Sequence, residues 1–278
     1  MKKLYALSVN FCIRALTLLI FIQVYFELTC DSAKAQTISF SSSALVGESI
    51  LNPTSLQFGP DNRLYVSQQN GTIYAYTIVR NGPNNYSVTA TENIQLIRSI
   101  PNHNDNGALN SSIIDRQITG ILVIGTSLKP IIYVTSSDPR IGGGGTGGDV
   151  NLDTNSGILS KLTWNGTSWI KVDVVKGLPR SEENHSNNGM ALDPATNTLY
   201  LAMGGHTNAG SPSNNFAYLT EYALSAAILK INLNQIESNF SGSYVLPTLD
   251  DPTRANSGLN GSDENDPWGG NDKVVCFS

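Results

Sequence analysis

The chain has 278 residues, only 14% of them charged, and a formal net charge of -5; that balance supplies no electrostatic footprint for a nucleic acid. Asn, Ser, Thr and Gly abound, so polarity is carried by amides and hydroxyls more than by charge. Of three cysteines, Cys12 and Cys30 fall in a leader-like segment, which leaves Cys276 without an intramolecular partner and excludes a disulfide framework.

The start of the chain reads as an export signal. Lys2 and Lys3 precede an apolar run from Ala15 to Phe26 and then Ala33-Lys34-Ala35. A basic region, an apolar core and an A-x-A site predict a secretory signal peptide over residues 1–35, cleaved after Ala35. The apolar run is too short to span a bilayer, so no membrane span is expected and the mature protein is expected to be secreted or periplasmic. Asn-x-Ser/Thr sequons stand at Asn70, Asn85, Asn110, Asn165, Asn239 and Asn260, and matter only in a host that glycosylates them.

Residues 36–235 hold no long helical periodicity. Short strands divided by Gly, Pro and Asn predict an all-β fold. Ser55–Phe58, the turn Gly59-Pro60-Asp61-Asn62 and Leu64–Ser67 form a strand, turn and strand. The pattern returns as Ile118–Ile124, a turn through Lys129-Pro130, and Ile131–Thr135. A third copy pairs Met190 and Leu192 with Leu199, Leu201 and Met203 across Asp193-Pro194-Ala195-Thr196-Asn197. Tyr65, Tyr133 and Tyr200 mark the repeat, about 67 residues apart. Third strands follow at Gly71–Tyr76, Gly157–Leu162 and Ala226–Ile231, and fourth strands at Tyr86–Ala90 and Ser168–Val175. Four antiparallel strands per unit describe the blade of a β-propeller, with about three blades in this chain.

The last hairpin should bring Glu183, Asn184 and His185 opposite Gly205, His206 and Thr207, clustering two of the three histidines. Long insertions over Asp138–Thr154 and Gly204–Ser225 follow second strands, so they should lengthen one face, where propellers commonly carry binding sites. The Gly142–Gly145 run lacks the Lys-Ser/Thr and helix of a phosphate cradle and reads as a surface loop.

Gly177-Leu178-Pro179 with His185 close behind, the Leu-Tyr hairpin, and the glycine-led loop before Ile228-Leu229-Lys230-Ile231-Asn232-Leu233 together resemble the soluble quinoprotein glucose dehydrogenase family, also called glucose/sorbosone dehydrogenases. The similarity runs from about Leu45 to Gln235; Leu56–Tyr76 resembles the family's first blade and Gln117–Val134 its second. The family implies a six-bladed propeller with pyrroloquinoline quinone (PQQ) and calcium at the top of its channel, oxidising sugars at the quinone C5 carbonyl. On that resemblance His185 matches the catalytic base, a role that suits an imidazole. Gln117, Asn184 and His206 are the expected substrate contacts. The partner implied is a small-molecule sugar.

Departures from the pattern are as informative. The carboxylate that orients the histidine is replaced by Gly205, expected to be unable to accept the imidazole N–H, and the neighbouring aspartate by Asn184. His206 is expected to substitute in part from across the hairpin. Two histidines without a third ligand make no metal site, and none is expected. The family's Arg-Asn-Pro segment and its quinone and calcium ligands have no counterpart, and a six-bladed ring at this spacing needs about 400 residues. Residues 236–278 are expected to be a polar Gly/Asp/Asn-rich loop and a short tail; the run from Asp263 to Asp272 lacks the spacing of an EF-hand. Two functions stay open: a dehydrogenase-like propeller, expected to be incomplete and inactive alone, and a non-catalytic secreted module binding carbohydrate or protein, as part of a larger cell-surface or secreted protein.

Overall fold

The computed structural model describes residues 16–20, 39–104, 108–141, 155–180, 182–209, 224–246 and 274–276, the last as backbone only. The chain divides into two units, Met1–Ser42 and Ser43–Ser278. In the first, residues 16–20 are helical and exposed, and the rest of the expected signal lies outside the described residues. No described helix is long and apolar enough to cross a membrane.

The second unit is all-β and propeller-like, built of three sheets in sequence. Its strands are β1 (Leu45–Val46), β2 (Pro53–Phe58), β3 (Leu64–Gln68), β4 (Ile73–Gly82) and β5 (Asn85–Ile94) in blade 1. Blade 2 holds β6 (Gln117–Gly125), β7 (Pro130–Ser137), β8 (Gly157–Trp164) and β9 (Trp169–Leu178). Blade 3 holds β10 (Asn187–Asp193), β11 (Thr198–Met203) and β12 (Ile228–Asn232). After β12 come helix α1 (Leu233–Phe240), β13 (Tyr244–Val245) and β14 (Val274–Cys276).

Turn chemistry explains the hairpins. Asn62 takes a left-handed φ of 62° between β2 and β3, and Asn197 one of 51° between β10 and β11; asparagine tolerates that region better than other side-chain-bearing residues. Asp193 holds the second turn by accepting from Ala195 N at 2.9 Å and Thr196 Oγ1 at 2.7 Å.

The repeat is an interface device as much as a blade device. Gln57 Nε2 donates to Val123 O at 2.9 Å and its Oε1 accepts from Val123 N at 2.8 Å, so one side-chain amide pairs like a peptide with the next blade's inner strand. That pair spans 66 residues, one blade period. Tyr65, Ile73, Ala75 and Ile94 of blade 1 pack on Ile118, Ile121, Val123, Ile132 and Val134 of blade 2. Tyr133, Leu159, Val175 and Leu178 of blade 2 pack on Leu199, Leu201, Leu229 and Ile231 of blade 3. The opposite flank of blade 1 leaves Leu56 and Phe58 exposed.

Two features add to the four-stranded expectation. Blades 1 and 2 each carry a fifth, parallel edge strand: β1 pairs with β5, and β13 pairs with β9. The segment after Gln235, expected as loop, begins instead with α1 and β13. Asn232 caps the helix by accepting from Gln235 N at 3.0 Å, while Leu233 and Ile236, three apart, bury its inner face. The terminal apolar tail supplies β14, which pairs with β12 as the outer strand of blade 3. The Gly142–Gly145 run and the Asp263–Asp272 stretch lie outside the described residues.

Candidate functional site

In an antiparallel blade the starts of the first and third strands and the ends of the second and fourth share one edge. In blade 2 that edge carries Arg116 and Gln117, Ser136 to Arg140, Asn155 and Ser156, and Leu178 to Arg180; blade 3 adds Ser186, Asn187, Gly204 to His206 and Ser225. Among the described residues, most buried polar side chains of the second unit stand on this rim, and the insertions after β7 and β11 depart from it.

His185 is half-buried in the turn leading into β10, and its backbone N–H donates to Glu182 O at 3.1 Å. Its Nδ1 lies 3.1 Å from Gly205 O. The expectation that Gly205 offers the imidazole nothing is thereby corrected: its backbone carbonyl is the acceptor that its missing side chain cannot be. The approach depends on Gly204, where an added Cβ would stand 2.8 Å from His185 Cα and carbonyl carbon. Because a carbonyl only accepts, Nδ1 carries the hydrogen and the lone pair of the neutral ring is on Nε2.

Gln117, the first residue of β6, is buried and donates from Nε2 to Glu183 O at 2.5 Å. It thus holds the turn containing His185 from the neighbouring blade. Gln117 Oε1 and Glu183 Oε2 are buried and accept no hydrogen bond from the described residues. Asn184 is exposed at the tip of that turn. His206, expected to face His185 at the open edge, is wholly buried next to the Gly205 carbonyl that His185 contacts.

Three buried arginines escaped the sequence reading. Arg140 chelates Asp138, with Nε 3.0 Å from Oδ1 and Nη2 2.7 Å from Oδ2, and donates to Asn104 Oδ1 at 3.0 Å. Arg180 donates to the carbonyls of Asp138, at 3.2 Å, and Arg140. Burial pushes its guanidinium below the usual range, against the opposing charges of Asp138, Glu182 and Glu183. Arg116 donates to Asn102 Oδ1 at 2.9 Å and to Ser156 O, and lines a cavity of about 360 Å³ with His103, Asn155 and Lys176. The available signal was positional: Arg116 precedes β6, while Arg140 and Arg180 follow β7 and β9, all at one edge of one blade.

Among the described residues no group of three or more His, Cys, Asp or Glu side chains could hold a metal ion. The guanidiniums of this rim are spent on internal carbonyls, amides and Asp138. These residues therefore do not fit a calcium-bound quinone, and no chemical step is drawn through one.

No family model and no curated protein matches the chain. Solved structures do. An iodide and a calcium structure of Trichoderma reesei Carbohydrate-Active Enzymes Family AA12 are similar at 15% and 14% identity, with TM-scores of 0.40 and 0.42, over 71% and 75% of this chain and 43% and 45% of theirs. A Thermus thermophilus protein described as an oxidoreductase (glucose dehydrogenase) is similar at 15% identity and a TM-score of 0.34, over 67% of this chain and 45% of that one. The chain spans less than half the length of each of these proteins.

Proposed function

We propose that this chain is an exported, glucose/sorbosone dehydrogenase-like propeller that receives a small sugar at the rim carrying His185. The observation that carries the reading is the contact of His185 Nδ1 with Gly205 O, which fixes the ring and leaves the lone pair on Nε2. An imidazole so oriented is suited to accept a proton from a sugar hydroxyl. Gln117 supports the reading by tying the turn of His185 to blade 2, and Asn184 at its tip offers an amide to a second hydroxyl. PQQ is implied by the sequence resemblance alone; the described rim residues supply no ligands for it, and no step is assigned to it. A non-catalytic module for carbohydrate or protein is the second reading, favoured by Asn184 and Gly205 standing where the family has carboxylates.

Titration of the full chain with PQQ and calcium, then with aldoses and an artificial electron acceptor, tests both. Sugar-dependent reduction that disappears in His185→Ala, with an unchanged melting temperature, supports the dehydrogenase. Saturable sugar binding without reduction supports the binding module, and absence of both removes the sugar from either reading.

A further inference from the structure

The opposite edge of the blades holds a second site, at the interface of blades 2 and 3. A cavity of about 460 Å³ opens between β7, β8 and β9 on one side and α1 with the β10–β11 turn on the other. This volume lies within the range of small-molecule sites. Ile124, Ile131, Val172, Val174, Leu233 and Ile236 give it an apolar lining, and Tyr133, Lys161, Asn197, Asn234 and Glu237 its polar groups.

The corresponding space between blades 1 and 2 is full. Tyr65, the counterpart of Tyr133, has Trp169 edge-on at 6.3 Å and the Arg63 guanidinium 5.2 Å from its ring centre. Cross-strand register matches Ala75 with Lys161 and Glu92 with Val172, while Arg63 and Ile131 each stand two residues before the tyrosine. In blade 1 those positions build a closed polar plug: Arg63 bridges Asp61 and Glu92, and Trp169 Nε1 donates to Glu92 Oε1 at 2.8 Å. In blade 2 the plug's arginine and glutamate are Ile131 and Val172, so the space is left open and apolar, with Lys161 within it.

Lys161 decides the ligand class. Its ammonium, on a half-buried side chain, has no hydrogen-bond or ion-pair partner among the described residues. The Tyr133 phenol beside it stays protonated at neutral pH, because burial and then the charge of Glu237 raise its pKa. Two donors therefore border an apolar chamber. The carboxylate that faces them, Glu237, is on an exposed residue of α1 and opposes an anion in the chamber from its solvent side. Asn197 and Asn234 are bonded to each other at 2.7 Å. We propose that this cavity binds a small apolar carboxylate, its hydrocarbon body against Ile131, Val174 and Ile236 and its carboxylate on Lys161.

The probe is octanoate, with 1-octanol as the uncharged control, added to the full chain and followed by calorimetry and by the methyl spectra of Ile124, Ile131 and Ile236. The expected result is saturable movement of those methyls by octanoate. Lys161→Met should weaken binding by about tenfold or more, because it removes a charged hydrogen-bond donor. Glu237→Gln should tighten it modestly, and Val172→Trp should fill the chamber and abolish it; Thr163→Phe serves as a second filling variant if the first does not fold. Equal binding of octanol, a filled variant that still binds, or weaker binding by Glu237→Gln would overturn the assignment. So would the absence of any saturable shift.

Discussion

The two inter-blade interfaces are built on the same period and solved differently. Between blades 1 and 2, Tyr65 is enclosed by a guanidinium, two carboxylates and an indole, each satisfied by another. Between blades 2 and 3, the equivalent Tyr133 borders a cavity closed off by a helix where blade 2 had offered Trp169. The difference teaches that the inner strands dictate blade-to-blade spacing, while the outer strands decide whether the wedge between blades is filled. Where Trp169 of blade 2 meets Glu92 of blade 1, the wedge closes; where α1 faces Ile131 and Val172, it stays open.

The comparison breaks most visibly at the tyrosines. Tyr65→Ala should cost about 3–5 kcal/mol, as for deletion of a large buried aromatic. Tyr133→Ala should cost less by about 1 kcal/mol or more, since its ring already borders space; urea midpoints of the two variants check the order. Gly120 tests the close approach of blade 3 to blade 2. An added Cβ would stand 2.6 Å from Asn188 O and 2.9 Å from Thr135 Oγ1, so Gly120→Ala should lose about 1–3 kcal/mol by overpacking blade 3 against blade 2.

Hydroxyl deletion sharpens the contrast. Tyr65 Oη donates to Asp61 at 2.8 Å and accepts from Arg63 at 2.8 Å, so Tyr65→Phe should cost about 1–2 kcal/mol. Tyr133→Phe should stay within about 0.5 kcal/mol. The smallest effect is the pH dependence of the plug. Burial pushes the Asp61 carboxyl up, but hydrogen bonds from Arg63 and Tyr65 and the charge of Arg63 outweigh it and hold the pKa low. A carboxylate with a depressed folded-state pKa stabilises above its unfolded value of about 3.9 and loses that contribution as pH falls through the folded value. Melting temperatures at pH 5 and pH 3 should therefore diverge more in the parent protein than in Asp61→Asn.

The repeat was legible because Tyr65, Tyr133 and Tyr200 sit on strands of regular alternation, and because Asn62 and Asn197 stand in turns whose backbone conformation few residues adopt. The short parallel edges were not legible. Leu45–Val46 and Tyr244–Val245 are two residues each, with no alternation to read, and owe their pairing to strands far away in sequence. Helix α1 hid behind a polar composition; Leu233, Ile236 and Phe240, three and four apart, record its inward face. At the rim, the approach of Gln117 to the turn of His185 followed from strand direction. The carbonyl of Gly205 did not, because a side-chain comparison counts glycine as a loss while its backbone keeps an acceptor. Arg116, Arg140 and Arg180 were missed for a related reason: isolated arginines at strand ends look like solvated surface until topology gathers them on one edge.

The returning strand β13 has a consequence for synthesis on the ribosome. It seals the outer edge of blade 2 from a point far downstream, as Ser243 Oγ donating to Asp173 O across 70 residues records. At about 5–20 residues per second, β9 leaves the ribosome roughly 4–14 s before its partner does. During that interval a nascent blade presents a bare strand edge, the form in which β-sheets capture neighbouring chains. A nascent chain halted before Ser243 is therefore expected to aggregate more readily than the finished second unit, in which β9 is paired on this edge.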